Sequence, residues 1–237
     1  MAGFKTHITT STVLGIGYGA AAYGFYHVPI PTCVLAGGLC SVAGMFPDLD
    51  SGPGRPLRES LAFAAAVVPM MLLHRIQHLG YAPETNIMIG GAIYLAIRFG
   101  VGWLLRHYTV HRGMFHSLPA AAIAAELTFL ICGHEQEGLW LRFFNAGAVV
   151  LGFMSHLVLD EIWSIEFKTG IPRFKKSFGT AIKLWSDSLW GNLSAYGKLA
   201  ILTWLVIQDP IWKAPPPNSN PAAQNQMSSV RPTKPLF

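Results

Sequence analysis

The sequence predicts an all-α membrane protein, a bundle of about six or seven apolar helices. Of its 237 residues, 51% are hydrophobic and only 12% are charged, whereas charged residues make up about 25% of an average soluble domain. The apolar residues form long blocks separated by short loops that carry polar motifs. These blocks lack strict two-residue alternation and are rich in Ala, Leu and Gly, which favours helices over strands. We therefore expect one membrane domain over residues 1–213.

Seven apolar segments are the candidate helices of this domain. A membrane span needs at least about 17 residues, so the three shortest segments could instead be buried or partly inserted helices. The tail, residues 214–237, is rich in Pro, Asn, Ser and Gln and is expected to be disordered. In chain order the segments are Ser11–His27, Thr32–Phe46, Leu61–Leu73, Asn86–Leu105, Leu118–Cys132, Asn145–Trp163 and Lys198–Ile207.

The distribution of positive charge predicts the orientation of the bundle. If all seven segments cross the membrane, the short loops on the side opposite the N-terminus contain only Arg75 and Arg142. The positive-inside rule then places the N-terminus in the cytoplasm, for a multi-pass protein of a bacterial inner membrane. The basic residues do not cluster in a pattern that reads bases, so no nucleic-acid partner is expected. The N-terminal side carries Lys5, Arg55, Arg58, Arg106, Arg112, Lys168, Arg173, Lys175, Lys176 and Lys183.

Two further features of the apolar segments need an interpretation. The stretch after Lys5 could be a signal peptide, but it is rich in glycine, and cleavage would remove His7. The three cysteines lack the spacing of a zinc knuckle or redox pair, and we expect them to be core thiols. They are Cys33, Cys40 and Cys132.

Four polar motifs lie at segment boundaries. They are His7, the run from Pro47 to Asp50, the run from His111 to Ser117, and the run from Ser155 to Asp160. In the last motif, His156 and Asp160 are four residues apart, so they share one helix face with Cβ atoms about 5–6 Å apart. One metal ion could bind both side chains.

The two middle motifs can also present their side chains together. Gly113 permits a turn that would bring His111 and His116 together, and Ser117 followed by Pro119 indicates a helix start. Asp48 and Asp50 are two residues apart in a non-helical stretch and could bridge two ions.

An alternating path through seven spans brings all four motifs to one membrane face, provided that Leu61–Leu73 crosses. Imidazole and carboxylate without thiolate suit zinc, with manganese and magnesium as alternatives. The combined pattern therefore predicts a divalent metal site at this face. Its expected ligands are His7, Asp48, Asp50, His111, His116, His156 and Asp160.

Each motif also has a simpler interpretation. The aspartates could form a solvated turn, and His156 with Asp160 could be a hydrogen-bonded pair. His74 and His78 are also four residues apart, but they fall on the opposite face without a nearby aspartate, so we interpret them as solvated helix-end residues. If every motif only caps a helix, the protein is structural.

Several other polar residues are candidates for secondary roles. Arg98 and Glu126 lie inside apolar segments, where charged residues are often functional. We expect them to form an ion pair that sets helix rotation, with a substrate or proton pathway as the alternative. His107 could be an outer-shell partner of His111, and His27 and His134 are expected at the membrane interface.

The ordered set of four motifs resembles the YdjM-like family of bacterial inner-membrane metal-dependent hydrolases. The resemblance covers roughly residues 5–165 and rests on His7, Pro-Asp-x-Asp, His-Arg-Gly-x-x-His-Ser and Ser-His-x-x-x-Asp. This chain has Ser51 where the family often has His, and Phe115 where it often has Thr. The family is distantly similar to helical zinc-dependent phospholipases C and single-strand nucleases, which implies phosphoester hydrolysis.

The expected activity is metal-dependent hydrolysis of a phosphoester, with a membrane lipid or lipid-linked molecule as substrate. The metal would lower the pKa of a bound water and polarise the ester. Arg112 would hold a phosphate oxygen, and Asp50 and His116 are also expected to take part in catalysis. The alternative is a metal-binding membrane protein without catalytic activity, serving transport or regulation.

Overall fold

The computed structural model describes residues 2–50, 54–108, 114–132, 138–168, 171–174, 179 and 182–213. Within this part the chain is predominantly α-helical, as the composition predicts. The tail from 214 lies outside the described residues, so its predicted disorder stays a prediction. The helices are α1 (Phe4–Tyr26), α2 (Ile30–Ala43), α3 (Arg55–Gln77), α4 (Pro83–Leu95), α5 (Gly102–Tyr108), α6 (Leu118–Ile131), α7 (Gly138–Trp163) and α8 (Leu189–Ile207).

Short elements connect several of these helices. A 3₁₀ turn, Phe46–Asp50, follows α2, and a π-helical segment, Ala96–Val101, joins α4 to α5. Strands β1 (Ile165–Lys168) and β2 (Ile171–Phe174) form an antiparallel hairpin after α7. The sequence analysis did not predict this hairpin, because strands of four residues give too little alternation to detect.

The helix ends show why the sequence segments were too short. Ser188 caps α8 by accepting a hydrogen bond from the Gly191 N–H, so this helix starts at Leu189 rather than Lys198. The third segment likewise extends in both directions to give α3. A helix can include polar residues in its terminal turns, where the backbone groups are capped or solvated. An apolar segment read from the sequence ends at the first of these polar residues.

α3 runs along the bundle from the end that holds Asp48 to the opposite end. It begins shortly after the Asp48 turn, and near its C-terminus Arg75 lies 3.9 Å from Asp209. Asp209 also contacts Arg142 near the start of α7. Because His156 is 14 residues beyond Arg142 in the same helix, the two ends are about 21 Å apart. α3 therefore runs from one end of the bundle to the other, as the predicted site requires, and its crossing of a membrane stays a prediction.

Helices α1, α2 and α7 pack together, α6 packs against α7, and α8 packs against α6. α3 packs mainly against α4 and the π-helical segment. Among the described residues, three helices are long and apolar enough to cross a membrane: Arg55–Leu73, Pro83–Leu105 and Leu139–Trp163. The expected count of six or seven spans is not reached by this measure and stays a prediction.

The expected ion pair between Arg98 and Glu126 is not formed. Glu126 Oε1 instead accepts a 2.7 Å hydrogen bond from the Thr203 hydroxyl on α8. The prediction assumed that consecutive helices form a hairpin, but α6 packs against α7 and α8, whereas the segment with Arg98 packs against α3 and α4. The pairing was therefore wrong because α6 does not pack mainly against the segment that contains Arg98.

Candidate metal centre

Four separate elements bring five of the predicted residues together at one end of the bundle. His7 comes from the first turns of α1, and Asp48 comes from the 3₁₀ turn after α2. His116 directly precedes α6, while His156 and Asp160 lie one turn apart on α7. We call these five residues the His–Asp cluster. Four are almost fully buried, and Asp48 is the exception, with 25% of its side chain exposed.

Local structure fixes where His116 lies. Ser117 is the N-cap of α6, and its hydroxyl oxygen accepts a hydrogen bond from the Ala120 N–H. The same hydroxyl donates to the Met114 carbonyl at 2.5 Å. The helix start predicted from Ser117 and Pro119 is therefore confirmed, and the cap holds the preceding histidine at the end of the bundle.

Four ligand-type atoms of the cluster form a closed ring around a common centre. His116 Nε2 lies 3.5 Å from Asp48 Oδ1 and 3.8 Å from Asp160 Oδ2. His156 Nε2 lies 3.8 Å from Asp48 Oδ1 and 3.6 Å from Asp160 Oδ2. Two atoms bound to one zinc ion at about 2.1 Å with tetrahedral angles would be about 3.4 Å apart. Three of these residues, Asp48, His116 and His156, have ligand atoms that all lie within 4.8 Å of one another and could hold one divalent ion.

The hydrogen bond of His156 decides which of its nitrogens faces this centre as an acceptor. His156 Nδ1 lies 2.7 Å from the Gly44 carbonyl oxygen. A carbonyl can only accept, so Nδ1 carries the proton, and in the neutral ring Nε2 has a lone pair. Metal-binding histidines are commonly oriented by such a bond from the second ring nitrogen. His156 thus directs a lone pair at two carboxylate oxygens.

Glycine at position 44 makes this bond possible. A Cβ at Gly44 would collide with the Ser11 side chain, so only glycine lets the end of α2 approach α1 this closely. Gly152 on α7 has a similar role, because its Cβ would collide with the Cys40 carbonyl. The close packing of α1, α2 and α7 therefore sets the position of the Gly44 carbonyl.

His7 lies beside the ring of four atoms and contacts the other oxygen of Asp160. Its Nε2 is 3.2 Å from Asp160 Oδ1, and its ring stacks on His156 with centroids 3.6 Å apart. Asp160 Oδ1 also accepts a 3.0 Å hydrogen bond from the Ala2 backbone N–H. His7, His156 and Asp160 form a second group with ligand atoms within 4.8 Å of one another. His7 is therefore either a ligand or the residue that orients Asp160.

Several buried nitrogen atoms of the cluster have no hydrogen-bond partner among the described residues. They are Nδ1 of His7, both ring nitrogens of His116, and Nε2 of His156. Leaving a buried polar atom unsatisfied costs about 1–3 kcal/mol, so a stable protein rarely collects several at one point. A bound cation would satisfy the nitrogens that face the centre.

The Asp48 carboxylate responds to these histidines. Burial raises the pKa of Asp48, but the nearby His116, His156 and His7 side chains together lower it below its usual value. The charged form therefore stabilises the fold above the unfolded-state pKa of about 4. This contribution is lost only as the pH falls through the lowered value.

Other predicted site residues lie outside the described part of the chain. These are His111, Arg112 and Ser51, and the side chain of Asp50 is also outside it. Phe115 is half-buried. His78 is exposed at the other end of the bundle, consistent with its interpretation as a helix-end residue, and the side chain of His74 is not described.

The remaining secondary candidates stand as follows. His107 is exposed, and its Nδ1 bonds the Trp103 carbonyl at 2.8 Å; its expected partner His111 is not described. His27 is exposed at the end of α1, and His134 lies outside the described residues. Cys33 and Cys40 are buried, as expected of core thiols, Cys132 is half-buried, and none of the three forms a disulfide among the described residues.

The sequence analysis missed a second buried charged group, at the opposite end of α7. Arg142 Nη1 donates to Asp209 Oδ2 at 2.8 Å, and both side chains are almost fully buried. The Arg142 guanidinium also lies 5.4 Å from the centre of the Phe129 ring. Arg142 was interpreted only as a loop charge. The acidic residue directly after the last apolar segment was the signal that could have identified this pair.

Comparison with known proteins supports the resemblance drawn from the motifs. The family model described as YdjM inner membrane protein matches residues 1–214. No curated protein and no solved structure matches the chain, so the distant similarity to phospholipases C stays a prediction. The matched range contains all five residues of the His–Asp cluster and each described helix. The chain therefore belongs to the YdjM inner membrane protein family.

Proposed function

We propose that the chain is a membrane-bound, metal-dependent hydrolase that acts on a phosphoester of a lipid or lipid-linked molecule. One observation carries the proposal: the lone pair of His156 Nε2 faces two carboxylate oxygens at 3.6 and 3.8 Å. Three acceptors directed at one point repel one another unless a cation lies between them. These separations exceed hydrogen-bond lengths but suit ligands of a shared ion.

The residues that would hold the ion are Asp48, His116, His156 and Asp160. Two imidazoles and two carboxylates are donors that zinc accepts readily, and manganese or magnesium would require more oxygen ligands. A divalent ion bound there would lower the pKa of a water and polarise a phosphoryl oxygen. Burial of the cluster would strengthen these electrostatic effects, because the local dielectric is low.

The exposure of Asp48 indicates how a substrate would enter. The four other side chains of the cluster are at most 4% exposed, whereas that of Asp48 is 25% exposed. Substrate and water would therefore approach along the Asp48 turn. Asp50 and His111 stay predicted as further ligands, and Arg112 stays predicted to hold a phosphate oxygen.

A second candidate is a metal-binding protein without catalytic activity. It is favoured by the ring of four protein atoms, because four protein ligands can close a tetrahedral shell, and closed shells are typical of structural zinc sites. A catalytic site keeps a position open for water, so the hydrolase would need a fifth ligand position or release of one carboxylate.

The two candidates are separated by assaying the purified protein in detergent. The hydrolase predicts stoichiometric metal and metal-dependent cleavage of a generic phosphodiester, which Asp160→Ala abolishes. His78→Ala, at the other end of the bundle, is the matched control and should keep full activity. Bound metal without any hydrolysis, or metal flux into liposomes without hydrolysis, would support the second candidate and exclude the first.

The cytoplasmic orientation is also part of the proposal, supported by the positive-inside distribution of Lys and Arg. It places the His–Asp cluster at the cytoplasmic face. A cysteine introduced at the exposed Lys5 should react with a membrane-impermeant thiol reagent only after the inner membrane is opened. If this cysteine is labelled in intact spheroplasts, the N-terminus lies outside the cytoplasm and the proposed orientation is wrong.

A further inference from the structure

We propose that residues 182–193, which precede and begin α8, form an anchor in the lipid headgroup region at the metal-centre end of the bundle. The partner of this surface is the bilayer itself. One consequence rests on the proposed function: the hydrolysed phosphoester belongs to a lipid in the same leaflet. The anchor itself does not rest on the proposed function.

Two hydrogen bonds place the chain leading into α8 across the metal-centre end. The Gly179 N–H donates to Glu161 Oε1 at 2.5 Å, and Glu161 directly follows the ligand-type residue Asp160. The N–H of Leu118, which is two residues after His116, donates to the Lys183 carbonyl at 3.0 Å. The anchor therefore lies at the level of the His–Asp cluster.

The anchor has a well-defined backbone, because its polar groups bond within the segment and to α8. Asn192 accepts from the Ser186 N–H at 2.8 Å and donates to the Ser186 carbonyl at 2.7 Å. The Tyr196 hydroxyl donates to the Leu184 carbonyl at 2.9 Å, and the Trp185 ring stacks on Tyr196 with centroids 4.5 Å apart. The segment is thus held in one shape by its own side chains.

This ordered segment turns its large apolar side chains outward. Leu189 and Trp190 are each 78% exposed, although nearby polar groups are satisfied internally. Soluble surfaces rarely expose such a contiguous apolar patch, and Trp is enriched at the membrane–water interface. The other outward residues of the patch are Ile182, Leu184, Trp185 and Leu193.

The patch is continuous with the outward side of α8, which indicates a bilayer rather than a small partner. Ile201 and Trp204, farther along the helix, are also largely exposed. In a protein of an inner membrane, lipid covers the apolar outward side of such a helix. The anchor extends this apolar surface to the level of the lipid headgroups. Within the anchor Lys183 balances Asp187, so its apolar side chains would attach it to the headgroup region.

Tryptophan fluorescence in lipid nanodiscs tests the anchor without any activity assay. The lipids would carry bromine on the acyl chains near the headgroup end, and iodide would quench from the aqueous phase. We expect Trp190→Phe to remove a component that brominated lipid quenches and iodide does not. Trp204→Phe is the matched control, because it gives the amplitude for one lipid-facing tryptophan of α8.

Two outcomes would overturn the anchor. Quenching of the Trp190 component by iodide alone would place the segment in water. Shielding from both quenchers would mean that protein, either a second copy or another chain, covers the patch.

A second experiment tests the consequence for the substrate. The double variant Leu189→Ala with Trp190→Ala should keep its metal and its cleavage of a water-soluble phosphodiester, but lose hydrolysis of phospholipid in vesicles. Unchanged vesicle hydrolysis would overturn the substrate assignment. If wild-type protein hydrolyses neither substrate, the proposed function fails, while the fluorescence result still decides the anchor.

Discussion

The two ends of α7 both bury charged side chains, but they satisfy them differently. At its start, Arg142 and Asp209 approach to 2.8 Å and complete a charge-assisted hydrogen bond. Near its end, His156 Nε2 stays 3.8 Å from Asp48 Oδ1 and 3.6 Å from Asp160 Oδ2. Two oppositely charged groups approach to hydrogen-bond distance when they are each other's partners. On the proposed function, acceptors held at these longer distances are ligands of a shared cation.

The supporting contacts of the two carboxylate groups differ as well, while Arg142 Nε has no hydrogen-bond partner among the described residues. Asp209 has a second partner, because its Oδ1 accepts the Ile211 N–H at 2.9 Å. In the His–Asp cluster, both ring nitrogens of His116 lack a partner among the described residues. We therefore expect the Arg142 end to support stability alone, and the cluster end to depend on metal.

The largest expected effect is at the cluster end. His156→Ala removes the nitrogen shared by both candidate metal groups, so the protein should lose its bound metal. Hydrolysis should fall by about a thousandfold or more, equivalent to about 4 kcal/mol in the barrier. Elemental analysis and phosphodiester kinetics measure this, with His27→Ala as control. Retained metal at full stoichiometry would contradict the assignment of His156.

The next effect is at the opposite end and should leave the metal unchanged. Asp209→Ala leaves Arg142 buried without its carboxylate, and breaking a buried pair costs about 3–5 kcal/mol. Denaturant unfolding in detergent, with metal analysis of the folded fraction, measures both properties. If adding Arg142→Ala to this variant recovers no stability, the unpaired charge is not the cause of the loss.

Metal addition should stabilise the wild-type protein to a similar or smaller degree. A ligand that binds only the folded state at a hundred times its Kd stabilises by about 2.7 kcal/mol. The thermal shift with zinc should shrink at acidic pH, because the ligands must be deprotonated to bind the metal. Asp209→Ala should keep the metal-induced shift, and Asp160→Ala should lose it. If zinc, manganese and magnesium all fail to shift the unfolding temperature, the cluster end does not depend on metal. The distinction between the two ends is then lost.

The smallest effect is expected midway between the ends. Glu126→Gln keeps an oxygen that can accept from Thr203, so stability should change by less than about 1 kcal/mol. Thr203→Val removes that donor and should cost about 1 kcal/mol, measured by the same unfolding assay. A loss of hydrolysis in Glu126→Gln at unchanged stability would instead assign this residue to a proton pathway.

The sequence could predict the His–Asp cluster because its signal is local. His156 and Asp160 are four apart on a helix, Pro47 follows the end of α2, and Ser117 begins α6 as expected. The parity of the spans then brought the motifs to one face. This step required α3 to cross, and the apolar block was shorter than the helix that forms.

Partners between helices could not be predicted in the same way. Glu126 bonds Thr203 rather than Arg98, and Asp209 pairs with a residue 67 positions away. The β1–β2 hairpin and the Gly44 carbonyl beside His156 also escaped the sequence analysis. Such choices depend on which helix faces pack together, and no periodicity in one segment contains that information.

By itself, the sequence determined the membrane character, the helices and the residue types of the site, because hydropathy and residue spacing act within a single segment. Only the tertiary structure decided which atoms face each other. The close packing of α1, α2 and α7 brings the Gly44 carbonyl to His156 Nδ1, and this bond directs Nε2 toward the carboxylates. The orientation of that lone pair makes a set of polar residues a candidate metal centre.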